Sequence, residues 1–105
     1  MSVTRIEQLQ QFLNSTPNDP FLHHALALEF VKAGDESAAE KHFRQNLDVS
    51  PQYIATYYHL GKLLERDNRT EDAMAMYERG MTIAKAAGDN HTYNELQAAY
   101  EDLAY

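Results

Sequence analysis

The stretch TYYHLGKLLE, Thr56 to Glu65, decides the fold. Its Tyr, Leu and Lys content reads as a helix, yet Gly61 stands in the middle of it. A glycine in a helix interior costs about 1 kcal/mol relative to alanine, so packing elsewhere has to offset that cost. Upstream, at an offset of 34 residues, the same pattern occurs once more. Leu26 pairs with Leu60, Ala27 with Gly61, Phe30 with Leu64, Ala39 with Ala73 and Phe43 with Tyr77. Pro17 pairs with Pro51 and Gly34 with Asn68 in the same register, and Gly and Asn both tolerate the left-handed conformation that ends helices.

Each repeat reads as two helices. In the first, Asp19 caps a helix with Pro20 at its first position, and Leu22, Leu26 and Phe30 form its buried stripe with Ala27 beside them. Gly34 ends that helix, and Asp35 caps a second one carrying Ala39, Phe43 and Leu47. In the second repeat, Ser50 and Pro51 open a helix bearing Tyr57, Leu60, Gly61 and Leu64, which Asn68 closes. Thr70 starts the next, through Ala73, Tyr77 and Met81 to about Ala87, and Gly88 ends it. The flanks supply two more helices. One covers about Val3 to Asn14 with Arg5, Leu9 and Leu13; the other follows Asp89 and Asn90, with Tyr93, Leu96 and Tyr100 as its inward positions. The pattern predicts six helices and no strand. A single domain is expected over 1–105, with an N-terminal helix at 3–15, repeats at 20–53 and 54–87, and a C-terminal capping helix at 90–104.

Composition narrows the classes of function. An apolar content of 44% supports a continuous core in a chain of 105 residues. The absence of cysteine removes disulfides, thiol catalysis and cysteine-based zinc sites. A formal net charge of −7 disfavours long-range attraction to nucleic acid and to anionic membranes, so neither is expected as a partner. No apolar run approaches the ~20 residues of a membrane span, and MSVTRIEQLQQFL has no signal-peptide character. A cytoplasmic protein is the expectation. A targeting domain of a longer chain is one alternative; the initial Met is read as weighing against a preceding domain, and the C-terminus is silent. No phosphate-cradling glycine loop, nucleophile elbow or metal-ligand spacing occurs, so neither enzyme activity nor a cofactor is expected. His91 and Glu95 lie one turn apart, but two ligands on an exposed helix make a poor metal site.

The spacing resembles the tetratricopeptide repeat, W-x2-L-G-x2-Y, then A-x3-F, then P. The first unit reads His23-x2-Leu26-Ala27-x2-Phe30, Ala39-x3-Phe43 and Pro51; the second reads Tyr57-x2-Leu60-Gly61-x2-Leu64 and Ala73-x3-Tyr77, with Lys85 where the proline would stand. The resemblance implies an all-α, TPR-like solenoid of helix-turn-helix repeats, about six helices in a right-handed superhelix. It also implies that position 61 lies at the close crossing of two helices, so that Gly61→Leu overpacks it.

The same resemblance implies a concave surface, lined by the first helix of each pair, that binds a segment of another protein. Its groove positions fall on Phe21, His24, Leu28, Val31 and Lys32, then on Ala55, Tyr58, Lys62, Glu65 and Arg66, with Asn94 from the last helix alongside His91, Ala98, Glu101 and Asp102. Lys32, Lys62 and Arg66 beside Leu28, Val31 and Tyr58 suggest an acidic peptide or a free C-terminal carboxylate. Against that, Glu65 and the Glu101–Asp102 pair are placed to neutralise those cations. The chaperone-tail mode of some family members is rejected, because His24, Leu28 and His59 stand where its lysine and asparagines would be. Tyr58 is the best single contact residue, since Tyr57 already takes the inward place and exposed aromatics are enriched at interfaces. The alternative to an adaptor is a self-association module, a homo-oligomer formed through the groove or through a terminal helix such as the one bearing Ile6, Leu9, Phe12 and Leu13.

Overall fold

The computed structural model describes Thr4 to Tyr105 and contains, among the described residues, six α-helices and no strand. They are α1 (Arg5–Ser15), α2 (Pro20–Lys32), α3 (Glu36–Val49), α4 (Ala55–Arg66), α5 (Thr70–Ala87) and α6 (Asn90–Ala104). Val3, expected to open the first helix, lies outside the described residues. The chain divides into two compact units, the first ending at Pro51 and the second running from Gln52 to Tyr105. In the first, α1 packs on α2 and α2 on α3; in the second, α4 packs on α5 and α5 on α6.

Local chemistry explains the helix ends. The Asp19 carboxylate accepts from the backbone N–H groups of Phe21 and Leu22 at 2.9 and 3.3 Å, satisfying donors that the first turn leaves without partners, and Pro20 needs no such acceptor. Asp35 caps α3 through the Ala38 N–H at 3.1 Å, and Asp89 caps α6 through that of Thr92 at 3.1 Å. Gly34 (φ 80°), Asn68 (φ 59°) and Gly88 (φ 73°) all take the left-handed conformation that stops a helix.

The start of α4 corrects the sequence reading. Ser50 and Pro51 do not open it; Ser50 caps the end of α3, Pro51 sits in the turn that follows, and α4 begins at Ala55 with Ile54 as its cap and no side-chain cap hydrogen bond. The first bonds at this end are short-range, from Thr56 N–H to the Tyr53 carbonyl and from Tyr57 N–H to that of Ile54. Such i→i+3 bonds tighten an end that has no capping side chain.

In the first unit the core is Leu9, Leu26, Ala27, Ala39, Phe43 and Leu47; in the second it is Tyr57, Leu60, Leu63, Leu64, Ala73, Met76, Tyr77, Ala84, Leu96 and Ala99. Inward expectations shift on three helices. On α2, Leu22 and Phe30 are only half-buried, with Phe30 stacked on the His42 ring at 5.3 Å, while Leu26 and Ala27 fill the core. On α5 the buried line passes through Gly80 and Ala84, leaving Met81 half-buried, because α5 serves both α4 and α6. On α6, Leu96 and Ala99 fill the core while Tyr93 and Tyr100 stay half-buried. Tyr100 keeps its hydroxyl at the surface in a hydrogen bond with Glu78, which a fully inward ring could not reach.

Gly61 finds its explanation at the α4–α5 contact. A Cβ there would stand 2.2 Å from Cε1 of Tyr77, a core ring that cannot swing aside. Gly80 does the same on the other side of the unit: a Cβ would meet Cβ of Tyr57 at 2.8 Å and Cδ1 of Leu96 at 2.9 Å. Its role was not read from the sequence, because no second glycine marks its counterpart, Asn46, in the first repeat. Asn46 is buried and donates from Nδ2 to the Pro20 carbonyl at 3.1 Å.

Candidate protein-interaction surface

The groove positions on α2 are unequal in exposure. Phe21 is 60% exposed and Lys32 projects into solvent, Leu28 and Val31 are half-buried, and His24 is only 7% exposed, its ring tilted against Phe43 at 5.7 Å. Lys32 Nζ lies 3.6 Å from the Glu29 carboxylate, which also faces Arg5 at 3.7 Å.

On α4, Ala55, Tyr58, Lys62 and Arg66 follow one another at helical spacing along one face. Ala55 and Arg66 are exposed, and Tyr58, Lys62 and Glu65 are half-buried. The Tyr58 ring is fixed from several directions. His59 meets it edge-on at 5.6 Å, the Tyr77 ring lies 6.4 Å away, and the Lys62 ammonium stands over its face at 5.5 Å from the centroid. Lys62 also pairs with Glu65 at 3.3 Å, and the buried Tyr77 donates its hydroxyl to the same carboxylate at 2.9 Å. Burial pushes the Tyr77 hydroxyl far above the ordinary phenol range, and the Glu65 carboxylate, with Tyr58 and Asp102 adding to it, pushes further the same way. The hydroxyl is therefore a permanent donor, and it holds the Glu65 carboxylate in place. On α6, His91, Asn94, Ala98, Glu101 and Asp102 are exposed, and His91 Nε2 approaches Glu95 at 3.5 Å. Among the described residues, no group of three or more metal-ligating side chains gathers, and no helix is long and apolar enough to cross a membrane.

Rings also gather in the first unit. His23 donates from Nε2 to the Pro17 carbonyl at 2.6 Å, and His42 lies between Phe30 (5.3 Å) and His23 (6.3 Å). Burial lowers the His42 pKa below its ordinary value, and His23 and Lys41 add to the effect. These histidines pack; they do not line the α2 groove positions.

Comparison with known proteins fits this arrangement. A tetratricopeptide repeat model matches residues 54–86, the span from the cap of α4 almost to the end of α5. A crystal structure of a tetratricopeptide repeat domain protein from Salinibacter ruber is 41% identical, with a TM-score of 0.78, over 82% of this chain and 96% of that one. A solution structure of such a domain from the same organism gives a TM-score of 0.80 at 41% identity, over 83% and 88% of the two chains. A Bordetella parapertussis protein solved in solution is 27% identical, with a TM-score of 0.83, over 98% and 90%. A Caenorhabditis elegans protein O-mannosyl-transferase is 29% identical over 72 residues, 69% of this chain, and the chain spans about a tenth of that relative's length. With 41% identity across 96% of a solved tetratricopeptide repeat domain, six helices in the expected order and glycine at the close crossing, this chain belongs to the tetratricopeptide repeat family.

Proposed function

We propose that this chain is a protein-interaction adaptor that binds a peptide segment of a partner along the Ala55, Tyr58, Lys62 and Arg66 face of α4, with Tyr58 as the anchor. Tetratricopeptide repeats are in general protein–protein interaction modules and non-enzymatic adaptors. The observation that carries the finer reading is the state of Tyr58. It is a half-buried aromatic side chain whose ring is held between His59 and Tyr77, with Lys62 over its open face. An anchor fixed before binding loses little conformational freedom on contact, which is what favours aromatic hot spots. Ala55 beside it leaves room for a ligand backbone to come close.

The test is selection of peptides from a random display library against the folded protein, followed by affinity measurement with Tyr58→Ala. The selected peptides are expected to lose at least about tenfold in affinity. A library that yields no binders, or binders indifferent to Tyr58→Ala, defeats the reading. Self-association is the second reading, and it draws on Phe12 and Phe21, which are 56% and 60% exposed in the first unit. Sedimentation equilibrium at about 100 μM, far above ordinary interface dissociation constants, decides it. A monomer there removes it.

A further inference from the structure

The sequence presents Lys62 as a positive charge available to a ligand. Its surroundings describe something else. Lys62 sits over the face of Tyr58 and against the Glu65 carboxylate at the same time, at 5.5 Å from the ring centroid and 3.3 Å from the oxygen. An aromatic face combined with a carboxylate is a receptor for a cation. We infer that Tyr58 and Glu65 form a cation-binding site, filled within the chain by Lys62, that accepts an arginine side chain of the partner segment in its place.

The parts of the site differ in how firmly they are held. Glu65 is only 19% exposed at its side chain and is pinned by the Tyr77 hydroxyl, which the protein core fixes. Lys62 is held by contacts within its own helix, with Tyr58 four residues before it and Glu65 three residues after it, and 36% of its side chain is exposed. Exposed pairs of that kind contribute little and exchange readily. A guanidinium is better suited to the site than an ammonium. It stacks flat on an aromatic ring, offers a fork of donors to a carboxylate and gives up its hydration more easily. Arg66, exposed on the next turn, opposes an incoming cation through solvent, where screening weakens it. Asp102 acts on the Tyr77 hydroxyl from α6 and favours the cation. The repeat itself supplies a control. The counterparts of Tyr58, Lys62 and Glu65 in the first unit are His24, Leu28 and Val31, which offer neither carboxylate nor cation.

This inference rests on the peptide-binding reading and fixes the chemistry of its ligand as a basic side chain, opposite in sign to what Lys32, Lys62 and Arg66 suggest in the sequence. Its test uses a small probe, so it does not depend on finding the partner. N-acetyl-arginine-methylamide is titrated into the wild type, Lys62→Ala, and the Lys62→Ala/Glu65→Gln double variant, following the Tyr58 ring protons by NMR; N-acetyl-glutamate-methylamide is the control. The amide introduced by Glu65→Gln keeps a carbonyl acceptor for the Tyr77 hydroxyl, so the fold is retained in the double variant. Lys62→Ala is expected to bind the arginine probe roughly three- to tenfold more tightly than the wild type, and the double variant is expected to lose that gain. The inference is overturned if the Tyr58 signals of Lys62→Ala ignore the arginine probe, or if the glutamate probe shifts them equally. Either of those results leaves the peptide reading standing on its own selection experiment.

Discussion

The two repeats solve one packing problem with different residues. In the first, Ala27, Phe43 and Val31 occupy the places that Gly61, Tyr77 and Glu65 hold in the second. The rings of Phe43 and Tyr77 are both fully buried, so the core tolerates either. The placement of the Tyr77 ring and its hydroxyl add one requirement each. The ring presses so closely on α4 that no Cβ fits at position 61, and the hydroxyl needs an acceptor, which Glu65 provides. Three substitutions thus act as one set, and the set carries a charge to the edge of the core. The first repeat stays apolar at the same place; the second acquires a fixed carboxylate next to an aromatic face. An almost regular repeat can therefore set a fixed carboxylate beside an aromatic face in one copy and not in the other.

The largest effect expected from breaking this comparison is at the crossing. Gly61→Leu should cost at least about 1–3 kcal/mol by overpacking, and a thermal midpoint unchanged by it would contradict the close approach of α4 and α5. Gly61→Ala sharpens the point. Alanine gains about 1 kcal/mol in helix propensity, so a net loss of stability can come only from the Tyr77 ring. The reciprocal Ala27→Gly should cost about 1 kcal/mol or somewhat more, from propensity and lost packing.

The helix starts differ too, and the next prediction uses that. Asp19→Ala should destabilise by about 1 kcal/mol, because it removes the acceptor of two backbone donors. Ile54, the cap of α4, makes no side-chain cap hydrogen bond, so urea denaturation of Ile54→Ala should find no capping loss there.

Tyr77→Phe copies the first repeat's ring into the second. It should cost about 0.5–1.5 kcal/mol by removing the hydrogen bond to Glu65. Adding Glu65→Val, which copies the first repeat's partner residue as well, should recover part of that loss. Additive costs in the double variant would mean that the hydroxyl and the carboxylate are not coupled.

The smallest expected effect is a dependence on pH shared by both units. Burial lowers the pKa of His42 in the first unit and of His59 in the second, the latter against the opposing pull of Glu95. The unfolded chain therefore takes up these protons more readily than the folded one. The stability held by the neutral rings is complete above the ordinary histidine value of 6.5 and declines as the pH falls below it. His42 Nδ1 is buried with no hydrogen-bond partner, so a proton there gains no acceptor. Denaturation midpoints should fall between pH 7 and pH 5, with a shallower slope in His42→Phe. Asp89 contributes separately and lower: its pKa is depressed by the Thr92 N–H, so its share is present above 3.8 and lost as the pH falls through its folded value.

Much of this molecule was legible in one dimension. Asp19, Asp35 and Asp89 announce helix starts because a short carboxylate satisfies backbone donors two or three residues away. Gly34, Asn68 and Gly88 announce ends because they tolerate positive φ. The register of 34 residues then identifies the family and places Gly61 at a crossing. All of these are local signals, or repetitions of them, and the chain carries them however its helices later meet.

The structure alone decided what touches across helices. A helical residue turns about 100° from its neighbour, so a small rotation exchanges one inward side chain for the next. Gly80 in place of Met81, and Ala99 joining the expected Leu96 while Tyr93 and Tyr100 stay half-buried, are the results. The same holds for Tyr77 and Glu65, which lie 12 residues apart and meet only because α4 packs against α5. From the sequence, Lys62 was a charge facing outward and Glu65 its neutraliser; packing gave the carboxylate a buried donor and set the lysine against it. That difference in sign follows from desolvation and contact, which depend on distances between helices and are absent from the order of residues along one.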